Sequence, residues 1–545
     1  MKKFNLNILI AGALALWLFS SCSKTFLDSE PKSQLLDENF YKTEADANMA
    51  LVGCYDGYQI TSSEFAIYMV ATIASDECFG AKGANDDRPY ELIDRFDINQ
   101  SPASNNIFND TWSEYYTGIY RCNTLLQKLP GISKWRSPDD STNKITEKRM
   151  EGETRFLRAL MYFDLVRLFE RVPLLTEPTT ANLPQADPTE VYKLIVEDLK
   201  FAAANIPANA YPKAQAATND GRATRYAAES LLARVYLFYT GYYAKDDLGV
   251  TKPEVLAGLE DVISSNEFDT IPYKKLWPAA SYIPVPATNT LDKTGFAGKG
   301  NKEVVFAQKF NGTSDYNGNT DGNGWLKMMG MRGCNFSPYG QGWGACTVNP
   351  QLVNAYPSGD QRRTASVIDL VGEGIESAFN KIDQRDYTGY TVKKYTCTAL
   401  PDGTSDTGGS KDFQISQDQD YVIIRYADVL LMAAELGSPN AVTYFNKVHE
   451  RAGLPAVASV SESDILNERR FEFAFEGIRY YDLLRTGMDN AANAIAASAQ
   501  TVKSGGLDDH ITYDVAKIKA TRGFMQIPNT QITLSGGVLV QNQGW

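Results

Sequence analysis

GETRFLRALMYFDLVRLF, residues 152–169, decides the fold class, because its apolar residues cover most sides of a helix. Such a helix belongs inside a helical core, where its charged residues need buried partners. A second helix is predicted over residues 224–243, TRYAAESLLARVYLFYTGYY, in which alanines allow close approach and larger residues supply bulk. Paired helices of this kind are typical of tetratricopeptide-like stacks. The sequence therefore predicts a mostly α protein on a tetratricopeptide-like helical repeat scaffold.

The helical pattern extends outward from this pair. Apolar residues recur at helical spacing in residues 37–58, 111–129, 188–205, 421–436, 440–452 and 463–486. Before the helix that follows Asp187, the residues Asp187, Pro188 and Glu190 supply an N-cap, a first-turn proline and an acid at the third position. These features predict a helix that begins at Pro188.

The middle of the chain differs in composition from both flanks. Residues 251–420 are dense in Gly, Asn, Asp, Ser and Pro, which predicts loops with minor short strands. Long loops on a rigid scaffold usually carry binding sites. We therefore divide the chain into an N-terminal helical region of residues 37–250, a loop-rich, variable ligand-binding region of residues 251–420, and a C-terminal helical region of residues 421–545.

The N-terminus has the layout of a secretory signal. Two lysines precede an apolar run over residues 8–19, which ends in two serines and Cys22. A small-small-cysteine ending is typical of bacterial lipoproteins, in which the cysteine is acylated and becomes the new N-terminus. The sequence predicts a signal peptide over residues 1–21, lipidation at Cys22 and a lipid-anchored tether over residues 22–36. Simple secretion with an incidental cysteine is the alternative.

The composition argues against several classes of function. Lys and Arg total 53 and Asp and Glu total 66, and this formal charge of −13 argues against binding to nucleic acid or to anionic lipid. Because His449 and His510 are the only histidines, a zinc site or a histidine-dependent triad has almost no residues to use. We predict that the protein is not an enzyme and holds no cofactor or metal.

Cysteines and one glycine-rich segment need separate predictions. Cys334 and Cys346, twelve apart in a Gly-rich stretch, are the expected disulfide, whereas Cys54 and Cys122 in helix-like segments are predicted to be buried thiols. The segment NGNTDG, residues 317–322, resembles the opening of a calcium loop. It lacks the acidic first and twelfth positions, so a Gly/Asn-rich turn is the better interpretation.

Several motifs follow one another in a distinctive order. They are RFLRA (155–159), YFDLV (162–166), LLAR (231–234), IRYADVLLM (424–432), ERR (468–470), EGIR (476–479), DLLR (482–485) and the closing QNQGW (541–545). Together they resemble the SusD/RagB family of nutrient-uptake lipoproteins. Asp428, His449 and Thr486 depart from the residues that are frequent in that family, without affecting the assignment.

The resemblance implies a tetratricopeptide-like helical core that supports a variable, loop-rich part. It also implies a surface-exposed, lipid-anchored protein of the cell outer membrane, whose partner is a SusC-type TonB-dependent transporter. The expected ligand is a glycan or oligosaccharide, or a peptide as in some family members. The implied role is capture and delivery of a nutrient without catalysis.

Candidate ligand-binding residues follow from what a sugar site needs, namely exposed aromatic faces flanked by side chains that bind hydroxyls. Trp325, Tyr339 and Trp343 lie among glycines, where exposure is expected, and Trp277 and Tyr282 are further candidates. For each ring, the alternative is that it covers local core.

The resemblance adds a contribution from the loop after the first helices. The residues at these positions are Asp76, Phe79, Arg88 and Tyr90.

Carboxylates in the segment 468–485 invite a catalytic interpretation. Glu472, Glu476 and Asp482 are spaced so that arginines lie three or four residues away, which predicts ion pairs on a helix. Glycoside hydrolysis would need two carboxylates that face each other across a cleft. A surface glycan hydrolase therefore stays an alternative, as does a helical adaptor that binds the transporter and no soluble ligand.

Overall fold

The computed structural model describes residues 40–62, 67–96, 106–213, 221–315 and 321–545. The predicted signal peptide, Cys22 and the tether lie outside these residues, and so does most of the segment 317–322. Within the described ranges, no helix is both long and apolar enough to cross a membrane.

Helices dominate the structure, so the predicted mostly α fold is confirmed. The N-terminal helices are α1 (Glu44–Gln59), α2 (Ile67–Ile73), α3 (Pro89–Asp94), α4 (Asn109–Lys128), α5 (Asp140–Phe169), α6 (Pro188–Asn205), α7 (Arg225–Tyr243) and α8 (Lys252–Ser264). Short helices follow: α9 (Pro278–Ser281), α10 (Gly324–Met329), α11 (Pro350–Ala355) and α12 (Arg362–Ser366). The C-terminal helices are α13 (Tyr426–Glu435), α14 (Ala441–His449), α15 (Glu462–Glu472), α16 (Arg479–Arg485), α17 (Met488–Ala496), α18 (Val515–Ala520) and α19 (Asn529–Leu534).

The strands are short and form two-stranded ladders. The antiparallel pairs are β1 (Cys78–Gly80) with β7 (Cys346–Val348), β2 (Ile283–Val285) with β3 (Thr290–Asp292), β4 (Val304–Gln308) with β10 (Tyr421–Arg425), β8 (Val367–Asp369) with β9 (Tyr390–Val392), and β11 (Gln500–Ser504) with β12 (Leu507–Ile511). A parallel pair joins β5 (Met331–Arg332) to β6 (Gln341–Gly342). Two of these ladders, β1 with β7 and β4 with β10, attach the loop-rich region to the helical regions.

Helix α5 is the centre of the N-terminal core, as its sequence predicts. From Phe156 onward every residue of α5 is buried. Its charged side chains find buried partners: Arg158 donates to Asp198 at 2.8 and 2.9 Å, and Arg167 donates to Asp164 at 2.6 Å. These pairs allow a helix with charged residues to lie inside the protein.

Local signals set where α6 begins. The Asp187 carboxylate accepts a hydrogen bond from the backbone N–H of Thr189 at 2.8 Å, and Pro188 occupies the first turn. The predicted start at Pro188 is confirmed. It could be predicted because both signals lie within three residues of one another.

Two predicted helices differ from the observed elements. The stretch 421–436 begins as strand β10 and becomes helical only at Tyr426, because its β-branched residues Val422 and Ile424 pair with β4 instead. The stretch 463–486 forms two helices, α15 and α16. Phe475 and Gly477, both with positive φ, turn the chain between them.

The described cysteines are all free and buried. The prediction of buried thiols at Cys54 and Cys122 is confirmed, and the prediction of a bridge between Cys334 and Cys346 is wrong. Cys346 lies on β7 with its Sγ 3.6 Å from the Sδ of Met329, whereas Cys334 packs in a separate apolar cluster with Tyr339. Nearness in the sequence therefore does not bring these two thiols together.

The carboxylates of the segment 468–485 form ion pairs, as predicted, but mostly with residues far away in the chain. Glu472 and Glu476 accept hydrogen bonds from Arg425 at 2.7 and 2.8 Å. Asp482 pairs with Arg485 three residues on and with Arg469. All three carboxylates are buried, so these pairs join separate elements of the core.

Glu303, which is buried just before β4, helps to hold together the two ends of the long segment 272–302. It accepts hydrogen bonds from Arg425 at 2.6 Å and from the backbone N–H of Ile271 at 3.0 Å. The N–H of Asp269 also donates to the carbonyl of Lys302 at 3.1 Å. Residues 272–302 therefore leave and return at one place.

Candidate functional site

The structure brings the two predicted binding segments together. The ladder of β1 with β7 places residues 76–90 beside residues 325–346, and the N–H of Ala81 donates to the carbonyl of Ala345 at 2.8 Å. Arg332 reaches across this junction to Asp86, with 3.1 Å between the charged atoms.

Trp343 is the predicted ring that this junction leaves half-buried. The amine of Lys327 lies 4.5 Å from the centroid of the Trp343 ring, and the amine of Lys82 lies 5.7 Å from it. Arg88 is exposed nearby in the chain and pairs with Glu91. Lys82, Lys327 and Trp343 make up what we call the Trp343 surface. It offers an aromatic ring with two lysine amines over it, and Lys82 is also paired with Asp87 at 2.7 Å.

Tyr282 opens onto a separate depression, which we call the Tyr282 groove. It holds a cavity of about 90 Å³ whose polar lining includes Asn301, Gln417 and Gln419. The half-buried Tyr282 ring packs edge-on against Phe296, with 6.1 Å between the ring centroids. Burial, with a contribution from Asp406, raises the pKa of Tyr282 to about 12, so its hydroxyl stays protonated and can donate a hydrogen bond at neutral pH.

Charged groups in the groove are paired. The Lys293 amine lies 2.8 Å from a carboxylate oxygen of Asp406 and 5.1 Å from the centroid of the Tyr282 ring. Lys299 pairs with Asp418 at 3.3 Å. The groove therefore combines two half-buried rings, Tyr282 and Phe296, with amide groups and paired charges. This arrangement suits the hydroxyls and the apolar face of a neutral sugar.

Helix α10 connects the two places. Leu326 lines the Tyr282 groove, and the next residue, Lys327, covers Trp343. Asn323 caps this helix by accepting a hydrogen bond from the N–H of Trp325 at 2.9 Å. The groove and the Trp343 surface are thus built from neighbouring residues of one short element.

Several predicted rings are buried, so the expectation that they are exposed is wrong. Trp277 is 1% and Trp325 2% exposed, and Tyr339, Phe79 and Tyr90 are also buried. Trp325 packs edge-on against Tyr68 and Tyr421, at 5.9 Å between centroids in each case. Glycine-rich flanks did not indicate exposure here, because residues from distant parts of the chain cover the Trp325 ring. Trp277 still lines the groove from beneath.

Asp76 is buried as well, and it serves the core. Arg479 and Arg470 pair with it at 2.8 and 3.0 Å. Although burial opposes ionisation, these two arginines hold the pKa of Asp76 below its usual value. A carboxylate held in this way has no oxygen left over for a ligand.

Sequence reasoning missed several features. Lys82, Lys293, Phe296 and Lys327 carry no local signal, since lysines and a lone phenylalanine occur throughout the chain. A cavity of about 600 Å³ between α1 and β4 is lined by none of the predicted site residues. Among the described residues, no group of three or more His, Cys, Asp or Glu side chains could hold a metal ion.

Comparison with known proteins gives these features a family. Residues 369–545 match the family model described as SusD family, and residues 25–237 match the model described as "Starch-binding associating with outer membrane". A SusD-like protein of Formosa agariphila is 25% identical over 528 residues, which cover 89% of this chain and 92% of the relative. A SusD-like protein of Bacteroides ovatus is 24% identical, covering 89% of this chain and 83% of the relative.

Solved structures agree with these matches. A structure named as a laminarin binding SusD-like protein is 28% identical, with a TM-score of 0.70, and covers 93% of this chain and 100% of its own. Surface glycan-binding protein A from Bacteroides thetaiotaomicron, solved in complex with laminarihexaose, is 21% identical with a TM-score of 0.70 and shares the fold over 92% of this chain and 100% of its own. Since both helical regions match family models and the fold matches over nearly the whole chain, this chain belongs to the SusD family.

Proposed function

We propose that this chain is a cell-surface glycan-binding protein that captures an oligosaccharide and delivers it to a SusC-type TonB-dependent transporter. Family membership supports this proposal, and so does the 28% identical structure whose own name states that it binds laminarin. Lipidation at Cys22 would keep the protein at the outer membrane, since several acyl chains hold a protein there stably. The role needs no catalysis, only reversible binding.

The observation that carries the proposal is the pair of half-buried rings on either side of α10. Tyr282 has amide groups beside it for hydroxyls, and Trp343 has the amines of Lys327 and Lys82 over its ring. We propose that a chain of several sugar units contacts both rings at once, whereas a monosaccharide contacts only one. We therefore expect oligosaccharides to bind more tightly than single sugars.

The test is a binding screen of the lipid-free protein, residues 23–545, against laminarin, other polysaccharides and peptides. Affinity electrophoresis and calorimetry measure binding, and product analysis accompanies every hit. We expect Trp343→Ala and Tyr282→Ala each to weaken glycan binding at least about tenfold. Tyr120→Ala is the matched control, because Tyr120 is 48% exposed on helix α4 of the scaffold.

Each outcome has a defined meaning. Saturable glycan binding without product, weakened by both ring variants and unchanged by the control, supports capture. Released oligosaccharide would overturn it in favour of a hydrolase, and binding of peptides alone would favour the peptide-capturing role. If the protein co-purifies with a large outer-membrane barrel and binds none of the ligands, the result would favour the helical adaptor.

A further inference from the structure

A cavity of about 600 Å³ lies between α1 and β4, and we call it the α1–β4 cavity. Its volume falls within the range of about 300–1,000 Å³ that is usual for small-molecule sites. The cavity of the Tyr282 groove is smaller, at about 90 Å³. The lining of the α1–β4 cavity includes Val52, Tyr55 and Gln59 on α1, Phe306 and Gln308 on β4, and Asn311 beyond it. The helical scaffold therefore contains a space that can hold a ligand.

The charges that line this cavity cancel one another. The lining has two acidic side chains, Asp56 and Asp321, and two basic ones, Arg222 and Lys309. Three of them form ion pairs with residues outside the lining: Asp56 with Arg121, Arg222 with Glu153, and Lys309 with Asp420. Asp321 accepts a hydrogen bond from the amide of Asn311 at 3.0 Å. Because these charges are already balanced, the lining suits a neutral ligand.

Amide groups in the lining can bind hydroxyls. The Gln59 amide nitrogen donates to the carbonyls of Lys309 at 2.9 Å and Asp321 at 3.3 Å, which joins α1 to the chain after β4. The Gln308 amide nitrogen donates to the carbonyl of Tyr58 at 2.9 Å, whereas its buried oxygen accepts no hydrogen bond from the described residues. A buried acceptor without a donor is unfavourable, and a ligand hydroxyl would supply that donor.

Apolar side chains complete the lining. Val52, which is 49% exposed, and the half-buried Tyr55 lie on α1, and the buried Phe306 lies on β4. The Tyr55 hydroxyl donates to Glu153 at 2.7 Å and accepts from the N–H of Ala223 at 2.7 Å, which fixes the position of its ring. Because Val52 is both exposed and part of the lining, a ligand can enter the cavity from the solvent. Amides beside apolar groups suit the hydroxyls and the C–H face of a sugar.

We propose that the α1–β4 cavity is a second sugar site, which holds a neutral mono- or disaccharide. The site goes beyond the proposed capture at Tyr282 and Trp343, and only the choice of a sugar as ligand rests on the proposed function. Lys309 lines the cavity and pairs with Asp420, which lines the Tyr282 groove. This ion pair therefore lies between two neighbouring sites that have separate linings.

The test uses residues 23–545 with both Tyr282→Ala and Trp343→Ala, so that the two rings of the first site no longer contribute. Glucose, galactose, mannose, xylose, maltose and cellobiose are added in turn, and saturation-transfer NMR and calorimetry measure binding. We expect at least one of these neutral sugars to bind saturably, with a Kd on the order of 0.1–10 mM. The absence of saturable binding by all six sugars would overturn the proposal.

Two further substitutions in this protein, matched in helix and in exposure, locate the site. Val52→Trp places a larger side chain at the cavity, and we expect it to raise the Kd at least about tenfold. Met49→Trp is the control, because Met49 is 50% exposed on the same helix and does not line the cavity. Equal sugar binding by both variants would contradict the proposal. Asn311→Trp, at an exposed residue of the lining, repeats the test if Val52→Trp melts below Met49→Trp.

Charged sugars test the class of ligand. Glucuronate and glucosamine are close to glucose in size, and each should bind at least about tenfold more weakly than the best neutral sugar, because the lining charges are balanced. Binding of either charged sugar as tight as that of the neutral sugars would contradict the proposed class. Oligosaccharide binding by the parent protein and by each single ring variant is measured separately. A failure of the proposed function is therefore distinguishable from a failure of this inference.

Discussion

The helical regions and the loop-rich region 251–420 are held together by different interactions. In the helical regions, long helices pack around buried ion pairs, such as Arg158 with Asp198 and Arg425 with Glu476. In the loop-rich region, two-stranded ladders and buried rings such as Trp277 and Trp325 take that role. The comparison shows that many aromatic rings of the loop-rich region are buried and stabilise the fold of that region. Rings that are left half-buried, such as Trp343 and Tyr282, remain for a ligand.

Removing Arg425 tests the first half of this comparison and should have the largest effect. Arg425→Ala leaves Glu303, Glu472 and Glu476 buried without their shared partner. We expect the free energy of unfolding to fall by about 3–5 kcal/mol, measured by urea unfolding. Lys503→Ala, which breaks an exposed pair with Asp508, should leave the unfolding midpoint unchanged. Similar shifts for both variants would show that buried pairing does not stabilise the scaffold.

Replacing each of two tryptophans by alanine tests the second half of the comparison, which concerns buried and half-buried rings. Trp325→Ala removes a buried ring and should lower the free energy of unfolding by about 3 kcal/mol. Trp343→Ala should leave the melting temperature near that of the parent while it weakens glycan binding. Thermal unfolding and calorimetry on the same preparations separate the two effects. Equal destabilisation by both variants would mean that Trp343 is also a core ring.

The smallest effect is expected for Glu77, which precedes β1 at the place where the N-terminal and loop-rich regions meet. Burial raises the pKa of Glu77 to about 8, and the carboxylate accepts one hydrogen bond, from the N–H of Phe475 at 3.1 Å. Between the usual glutamate pKa of about 4 and this raised value, the folded state holds a proton that the unfolded state has lost. The free energy of unfolding should therefore decrease as the pH rises through this window.

Glu77→Gln should remove that dependence, because the amide is neutral and its oxygen can still accept from Phe475. Urea unfolding at pH 5 and pH 8 should show a gain for the variant at the higher pH on the order of 1–3 kcal/mol. Glu177→Gln, in an exposed loop, is the control and should follow the parent at both pH values. A variant with the same pH dependence as the parent would show that Glu77 is ionised in the folded protein.

Periodic segments could be predicted from the sequence because their signals are local. Helix α6 begins where Asp187 and Pro188 place it, and the burial of α5 follows from apolar residues on most of its sides. Trp325 could not be placed in the same way. Its burial depends on Tyr68 and Tyr421, which are far away in the chain, and flanking glycines carry no information about such partners.

Long-range pairing explains the remaining errors. The sequence shows that Glu472 needs a cationic partner, but three or four residues along the helix is only one possible place for it. The structure supplies Arg425 from a strand instead. Likewise, Cys346 meets Met329 and not the nearer-looking Cys334, because the strand pairing sets the position of Cys346.

The closed base of residues 272–302 has a consequence for how such proteins diversify. Tyr282, Lys293 and Phe296 all lie on this excursion, whose two ends meet at Glu303 and at the backbone contact of Asp269 with Lys302. Because the ends are anchored to each other, their separation does not depend on what lies between them. The first part of this excursion, with Tyr273 and Trp277, is buried in the core, so only the segment beyond Trp277 is exchangeable. A segment of different length, grafted between Trp277 and the closing anchor at Lys302, is expected to exchange the ligand preference and leave the scaffold as it is.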